Sequence, residues 1–187
     1  MRTSGFSPSR GRDDESTESK PAREKKPPTP ERLEQRARNV LLHQLARSAK
    51  STQQLRKILE NREIPSEIAE RVLERFTEVG LIDDAAYAET IVNSRRNFEG
   101  LSKSAIKREL NEKGVPAPLI ESAIESITAE DDFEAAKELA ARRIRQMSAL
   151  TRDVRERRLA GYLGRKGYPS SVVFAAIKFA ESQIESV

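Results

Sequence analysis

Three stretches of this chain share one 18-residue pattern without a gap, and that repetition constrains the fold more than any other feature. "LRKILENREIPSEIAERV" (55–72), "IKRELNEKGVPAPLIESA" (106–123) and "LAGYLGRKGYPSSVVFAA" (159–176) set Leu55, Ile106 and Leu159 in register. Leu59, Leu110 and Leu163 follow, then Ile64, Val115 and Tyr168. A proline comes next each time (Pro65, Pro116, Pro169), and beyond it an apolar residue (Ile68, Leu119, Val172). The copies are offset by 51 and then 53 residues, and self-similarity at such a period marks a repeat architecture.

The pattern has a physical reading. Apolar residues four apart make one face of a helix. Gly114 and Gly167 then supply a left-handed stop, where the first copy has Glu63. The proline suits the first turn of the next helix. Upstream of each pair lies a further apolar-periodic stretch: "ARNVLLHQLARSAK" (37–50), "AAYAETIVNSRR" (85–96) and "FEAAKELAARRI" (133–144). The expected fold is therefore all-α, a tandem array of three three-helix modules over 35–82, 83–130 and 131–187. One such unit buries little, so neighbours stack and the array is elongated.

Composition agrees with small helical modules. Charged residues make up 34%, aromatics 5%, and there are only eight glycines and no Trp. Residues 1–30 hold five of the nine prolines and almost no large apolar side chain, so a disordered tail is expected over 1–34. The absence of Cys removes any disulfide framework or thiolate, in keeping with a cytoplasmic setting. No stretch approaches the roughly 20 apolar residues of a spanning helix. The most apolar run, "VVFAAIKFA" (172–180), is interrupted by Lys178 and reads as a buried terminal helix. No apolar h-region follows the N-terminus, so no signal peptide is expected.

Two acidic doublets, Asp83-Asp84 and Asp131-Asp132, open the second and third modules. Gly80 closes the preceding helix, and Leu81 can fold back as the apolar residue behind it. Asp83 or Asp84 then stands where an N-cap is wanted. A metal or catalytic pair would need more ligands or a base. The one histidine, His43, lies between leucine and glutamine in another module, with no ligand spacing around it. No phosphate loop or nucleophile elbow occurs. No catalytic, metal or cofactor residue is expected, and the chain does not read as an enzyme.

Charge is uneven. The net charge is +4, but residues 133–187 carry eleven basic and six acidic side chains. Residues 142–166, "RRIRQMSALTRDVRERRLAGYLGRK", hold nine basic and two acidic ones, among them Arg142, Arg143, Arg145 and Lys166. On a helix at about 100° per residue, Arg155, Arg158, Tyr162 and Arg165 share an arc of roughly 80°. Such a face suits phosphate contact and base stacking. It equally suits an acidic protein groove, where arginine forms bidentate bonds, or a solvated face laced by Arg152–Glu156 and Asp153–Arg157 pairs. A second, weaker cluster comprises Arg95, Arg96, Lys103, Lys107 and Arg108, diluted by Glu99 and Glu109.

"VLERFTEVGLIDDAAYAETIVNSRR" (72–96), "IKRELNEKGV" (106–115) and "RRLAGYLGRKGYPSSVV" (157–173) resemble the RecX family, small regulators of the bacterial RecA recombinase. The resemblance covers about residues 37–185. It departs from the family pattern in "FEGLSK", which has one glycine, and in the long tail. It implies three three-helix units and a non-enzymatic regulator of homologous recombination, DNA repair and the SOS response. It implies binding of RecA filaments, with DNA met directly or through the filament, and lowered recombinase and ATPase activity. The expected form is a cytoplasmic monomer. A helical-repeat protein acting directly on nucleic acid, or a scaffold for an unrelated protein, would share the same architecture.

Overall fold

The structure, a computed structural model, describes residues 29–185. Among them are nine α-helices, one π-helical turn and no strand. The first module holds α1 (Pro30–Leu45), α2 (Thr52–Glu60) and α3 (Ser66–Glu78). The second holds α4 (Asp84–Ser94), α5 (Lys103–Glu112) and α6 (Ala117–Ile124), with the π turn Arg95–Glu99 continuing α4. The third holds α7 (Ala129–Arg145), α8 (Arg152–Arg165) and α9 (Ser170–Glu185). Extensive helix packing occurs only within modules, so the array has three separate cores in a row. The register leucines and isoleucine of the repeat (Leu55, Leu59, Ile106, Leu110, Leu159, Leu163) are fully buried and centre those cores.

Each copy of the pattern closes its helix in the same way. The amides of Ile64, Val115 and Tyr168 reach back to the carbonyls of Leu59, Leu110 and Leu163 at 3.2, 3.1 and 3.3 Å. The preceding residue is left-handed in each: Glu63 at φ 57°, Gly114 at 73° and Gly167 at 85°. This is the Schellman closure, with a buried apolar residue behind the left-handed one. Pro65 and Pro116 stand at the N-cap itself rather than inside the first turn. Gly80 (φ 71°) ends α3 likewise, but the buried residue behind it is Ile82, while Leu81 is half exposed.

The modules meet at two narrow joints built to one plan. At the first, Ser51 Oγ, itself fully buried, donates to the Lys113 carbonyl at the end of α5 (2.5 Å). The Thr52 amide, an orphan donor at the start of α2, bonds Asp84 Oδ1 at 2.8 Å. At the second, the Ser102 amide donates to the Lys166 carbonyl (3.0 Å), and the Lys103 amide meets both Asp132 oxygens at 3.2 and 3.1 Å. Gly114 and Gly167 lie in these contacts: a Cβ on Gly167 would stand 2.5 Å from Ala105 Cβ, and one on Gly114 2.5 Å from Gln53 Cβ.

The acidic doublets therefore divide their work. Asp83 is the N-cap of α4, accepting the Ala86 amide at 2.9 Å, while Asp84 serves the neighbouring module's helix. The second doublet corrects the expectation of an N-cap. α7 starts at Ala129, ahead of the expected boundary at 131, because Thr128 and Asp131 form a capping box. The tail expected over 1–34 lies outside the described residues up to position 28. Its end is corrected, since Thr29 caps α1 and Pro30 opens it.

Gly80→Ala, with nothing within 4 Å of the added Cβ, is expected to cost about 1 kcal/mol of left-handed strain alone. Gly167→Ala should cost clearly more, because the joint must open as well. Thermal unfolding of the two variants makes the comparison, and equal losses count against a packed joint.

Candidate partner-binding surface

Many of the basic residues singled out by sequence are committed inside the fold. Arg95 donates through Nε and Nη2 to both Glu109 oxygens at 2.8 Å, and through Nη1 to Glu99 at 2.7 Å. That bidentate bond to Arg95 holds the Glu109 carboxyl below its ordinary pKa and raises that of Arg95. Arg96 spans the second joint to Asp132 at 2.5 Å and also donates to the Leu101 carbonyl. Lys103 Nζ bonds the Ile127 carbonyl at 2.7 Å. Lys107 pairs with Glu121 across α5 and α6, repeating the Arg56–Glu70 pair of the first module. Arg108 is exposed and has no ion pair among the described residues. The middle cluster is thus mainly internal, and the π turn is the device that aims Arg95 at Glu109 and Arg96 at the joint.

Arg155 is the other departure. It lies only about 40° from Leu159 on the helical wheel, and the structure turns it inward to Glu181, whose relative exposure is 2%. Nε and Nη2 reach the two carboxylate oxygens at 3.0 and 2.5 Å, and Nη1 bonds the Leu150 carbonyl. The proposed surface arc loses this member.

What remains exposed is the last turn of α7 and one side of α8. Arg142, Arg145, Arg157, Arg158 and Arg165 form no ion pair among the described residues. Arg143 donates to Gln146 Oε1 at 2.9 Å and stacks 5.6 Å from the Tyr162 ring centroid; Lys166 Nζ lies 5.9 Å from the same centroid. Lys166 also bonds the Glu99 carbonyl, and the Tyr168 hydroxyl bonds that of Gly100 at 3.1 Å. Burial pushes the Tyr168 phenol up to about 12, so it stays a neutral donor across the joint.

Tyr162 forms the ridge between two clefts. One, of about 540 Å³, lies between the π turn and α7–α8, and includes Arg142, Arg143, Lys166, Glu138 and the 87%-exposed Phe98. The other, of about 440 Å³, is walled by Arg143, Arg157, Arg158 and Arg165. Arg145 lines neither. Sequence reasoning missed Arg157, taken as the partner of Asp153, a pair that does not form among the described residues. A wheel drawn from Arg157 through Gly161 to Arg165 carries that signal. It also missed Phe98, a lone aromatic in the polar run "RRNFEG". Among the described residues no cluster of three histidine or carboxylate side chains could hold a metal, and no helix is long and apolar enough to cross a membrane.

Serial three-helix cores joined by capping contacts, with a cationic face on the last of them, define a modular helical-repeat protein. Comparison with known proteins narrows the class. Family models of the first, second and third three-helix domains of RecX match residues 37–76, 83–124 and 130–177. The Regulatory protein RecX of Streptomyces coelicolor is 44% identical over 157 residues, covering 84% of this chain and 83% of that one. That of Thermobifida fusca is 37% identical over 149 residues, covering 80% of each. The crystal structure of RecX from Lactobacillus salivarius superposes with a TM-score of 0.67 at 19% identity, over 80% of this chain and 97% of that one, a likeness of fold. The chain belongs to the RecX family of regulatory proteins.

Two stability measurements check these assignments. Arg155→Ala leaves a buried carboxylate unpaired and is expected to cost about 3–5 kcal/mol, whereas Arg158→Ala leaves denaturant unfolding nearly unchanged. Equal effects would refute the division into internal and surface arginines. The Glu109 pKa is lowered in the fold. Its contribution is therefore fully present above the unfolded carboxylate pKa and is lost as pH falls through the lowered folded value. Glu109→Gln should remove that part of the acid-side decline, and an unchanged pH–stability curve would contradict it.

Proposed function

We infer that this protein regulates the RecA recombinase by lying along RecA–DNA filaments and lowering their ATPase and strand-exchange activity. The observation that carries this reading is the concentration of unpaired guanidiniums on α7 and α8, at one end of a modular array of the RecX family. An array with cores in series follows a helical groove better than a single globular core of the same length does. Its exposed arginines match DNA phosphate and acidic protein surface alike. The protein acts by occupancy as a cytoplasmic monomer and carries out no chemistry of its own. Arg142, Arg143, Arg158, Tyr162 and Arg165 make the contact, while Arg95, Arg96 and Arg155 hold the modules that present it.

The test is RecA's DNA-dependent ATPase with added protein, beside binding to bare and RecA-coated single strands. Inhibition is expected, with preference for the coated strand. The triple variant Arg142→Glu, Arg158→Glu, Arg165→Glu should require about tenfold more protein for the same inhibition, at unchanged helicity. No inhibition by the unaltered protein at several-fold excess sinks the reading. Equal affinity for bare and coated strands replaces it with direct action on nucleic acid.

A further inference from the structure

We propose that the cleft between the C-terminal turn of α7 and one side of α8 is a nucleoside-phosphate site, in which a base stacks on Tyr162 and its phosphate is held by Arg143, Arg157, Arg158 and Arg165. The site lies on the face assigned above to filament binding and rests on that reading only for its setting in the cell.

The first support is charge. Four guanidiniums line this cleft with no described carboxylate among its walls. Several arginines elsewhere stand beside acid, as in Arg38–Glu34, Arg56–Glu70, Arg95–Glu109 and Arg155–Glu181. Four like charges around one cleft repel each other, and nothing on its walls offsets that repulsion. An anion with several oxygens does.

The second support is Gly161. It sits inside α8, where glycine is disfavoured, yet a Cβ there would meet only Arg165 Nη1 at 3.4 Å, an ordinary contact. The fold has room for alanine at this position. On the helical wheel Gly161 falls between Arg157 and the Arg158–Tyr162–Arg165 stripe, so the missing side chain deepens the floor of the cleft. Gly164, on the same helix, has open space around it and does not line the cleft. It serves as an internal control.

The third is Tyr162. Cations flank its ring, and it borders a cleft of about 440 Å³, within the size range of small-molecule sites. An acidic peptide would satisfy the guanidiniums one carboxylate at a time and leave the aromatic face unused. A nucleotide, whether free or within a single strand, uses both.

The experiment uses the full chain without recombinase. Fluorescence anisotropy follows a labelled thymidine oligonucleotide, with ATP, pyrophosphate and polyglutamate as competitors. ATP is expected to bind about tenfold more tightly than pyrophosphate, and Tyr162→Leu to remove that advantage. Gly161→Ala should raise the melting temperature yet weaken binding several-fold, while Gly164→Ala raises the melting temperature and leaves binding alone. Displacement by ATP identifies free nucleotide as a source; an oligonucleotide that resists ATP but responds to Gly161→Ala and Tyr162→Leu identifies a strand. Displacement of the oligonucleotide by pyrophosphate or polyglutamate at the concentrations used for ATP overturns the proposal, as does unaltered binding by Gly161→Ala or no binding at all. Failure here leaves RecA inhibition to stand or fall on its own assay.

Discussion

The structure depends on one constraint: a helix must end, and here its end is made to fit the start of another. α5 and α8 close on a left-handed glycine whose missing Cβ lets the neighbouring module come close. Against that glycine comes the N-terminal turn of the preceding module's second helix, headed by a buried serine. Both partners bring unsatisfied backbone groups, carbonyls on one side and amides on the other. The serine meets the helix-end carbonyl, through its hydroxyl at the first joint and its amide at the second, and an aspartate of the incoming module's first helix takes the next amide. A capping requirement that each helix would otherwise meet with water thus becomes the bond between modules.

The third module departs from this plan in its second helix. In the register that aligns Leu55, Ile106 and Leu159, the joint serines Ser51 and Ser102 correspond to Arg155. α8 begins a turn earlier than that position, with 14 residues against 10 in α5. Its N-terminus therefore lacks the buried serine that heads α2 and α5 at the two joints. Arg155, now inside the helix, turns to Glu181. The Arg56–Glu70 and Lys107–Glu121 pairs also have no counterpart, because Ala160 and Phe174 stand at those positions. The third module has exchanged joint-forming residues for others, and its second helix is free to carry a surface of its own.

Much of this was legible in the sequence. The repeat register, the three-helix modules and the glycine closures depend on local spacing, which a linear pattern records. The first acidic doublet was legible as a helix start, because capping by Asp83 is local, whereas the second lies inside a helix that Thr128 already caps. The division of labour between Asp83 and Asp84 was not legible, since the amide that Asp84 serves belongs to a helix 32 residues away. The basic residues were legible as a set and misleading one by one. Arg95 and Arg143 align, yet one clamps Glu109 and the other stacks on Tyr162. Whether an arginine faces water depends on which carboxylate lies across the interhelical gap, and no periodicity reports that.

This sorting of arginines bears on how the protein meets a partner. Internal pairs such as Arg95–Glu109 and Arg155–Glu181 are bidentate and largely sheltered, so salt screens them weakly. The arginines of the α7–α8 face are exposed, and their attraction for an anion falls as ionic strength rises. Salt therefore acts on the two sets differently, weakening the pull of the exposed arginines on an anion more than it weakens the internal pairs. The narrow joints add a second freedom. With cores confined to modules and few contacts between them, relative motion concentrates at the joints. The Arg96–Asp132 bond spans the joint nearest the cationic face, beside the cleft that holds Phe98. The walls of that cleft come from both modules, residues 96–100 on one side and 135–166 on the other.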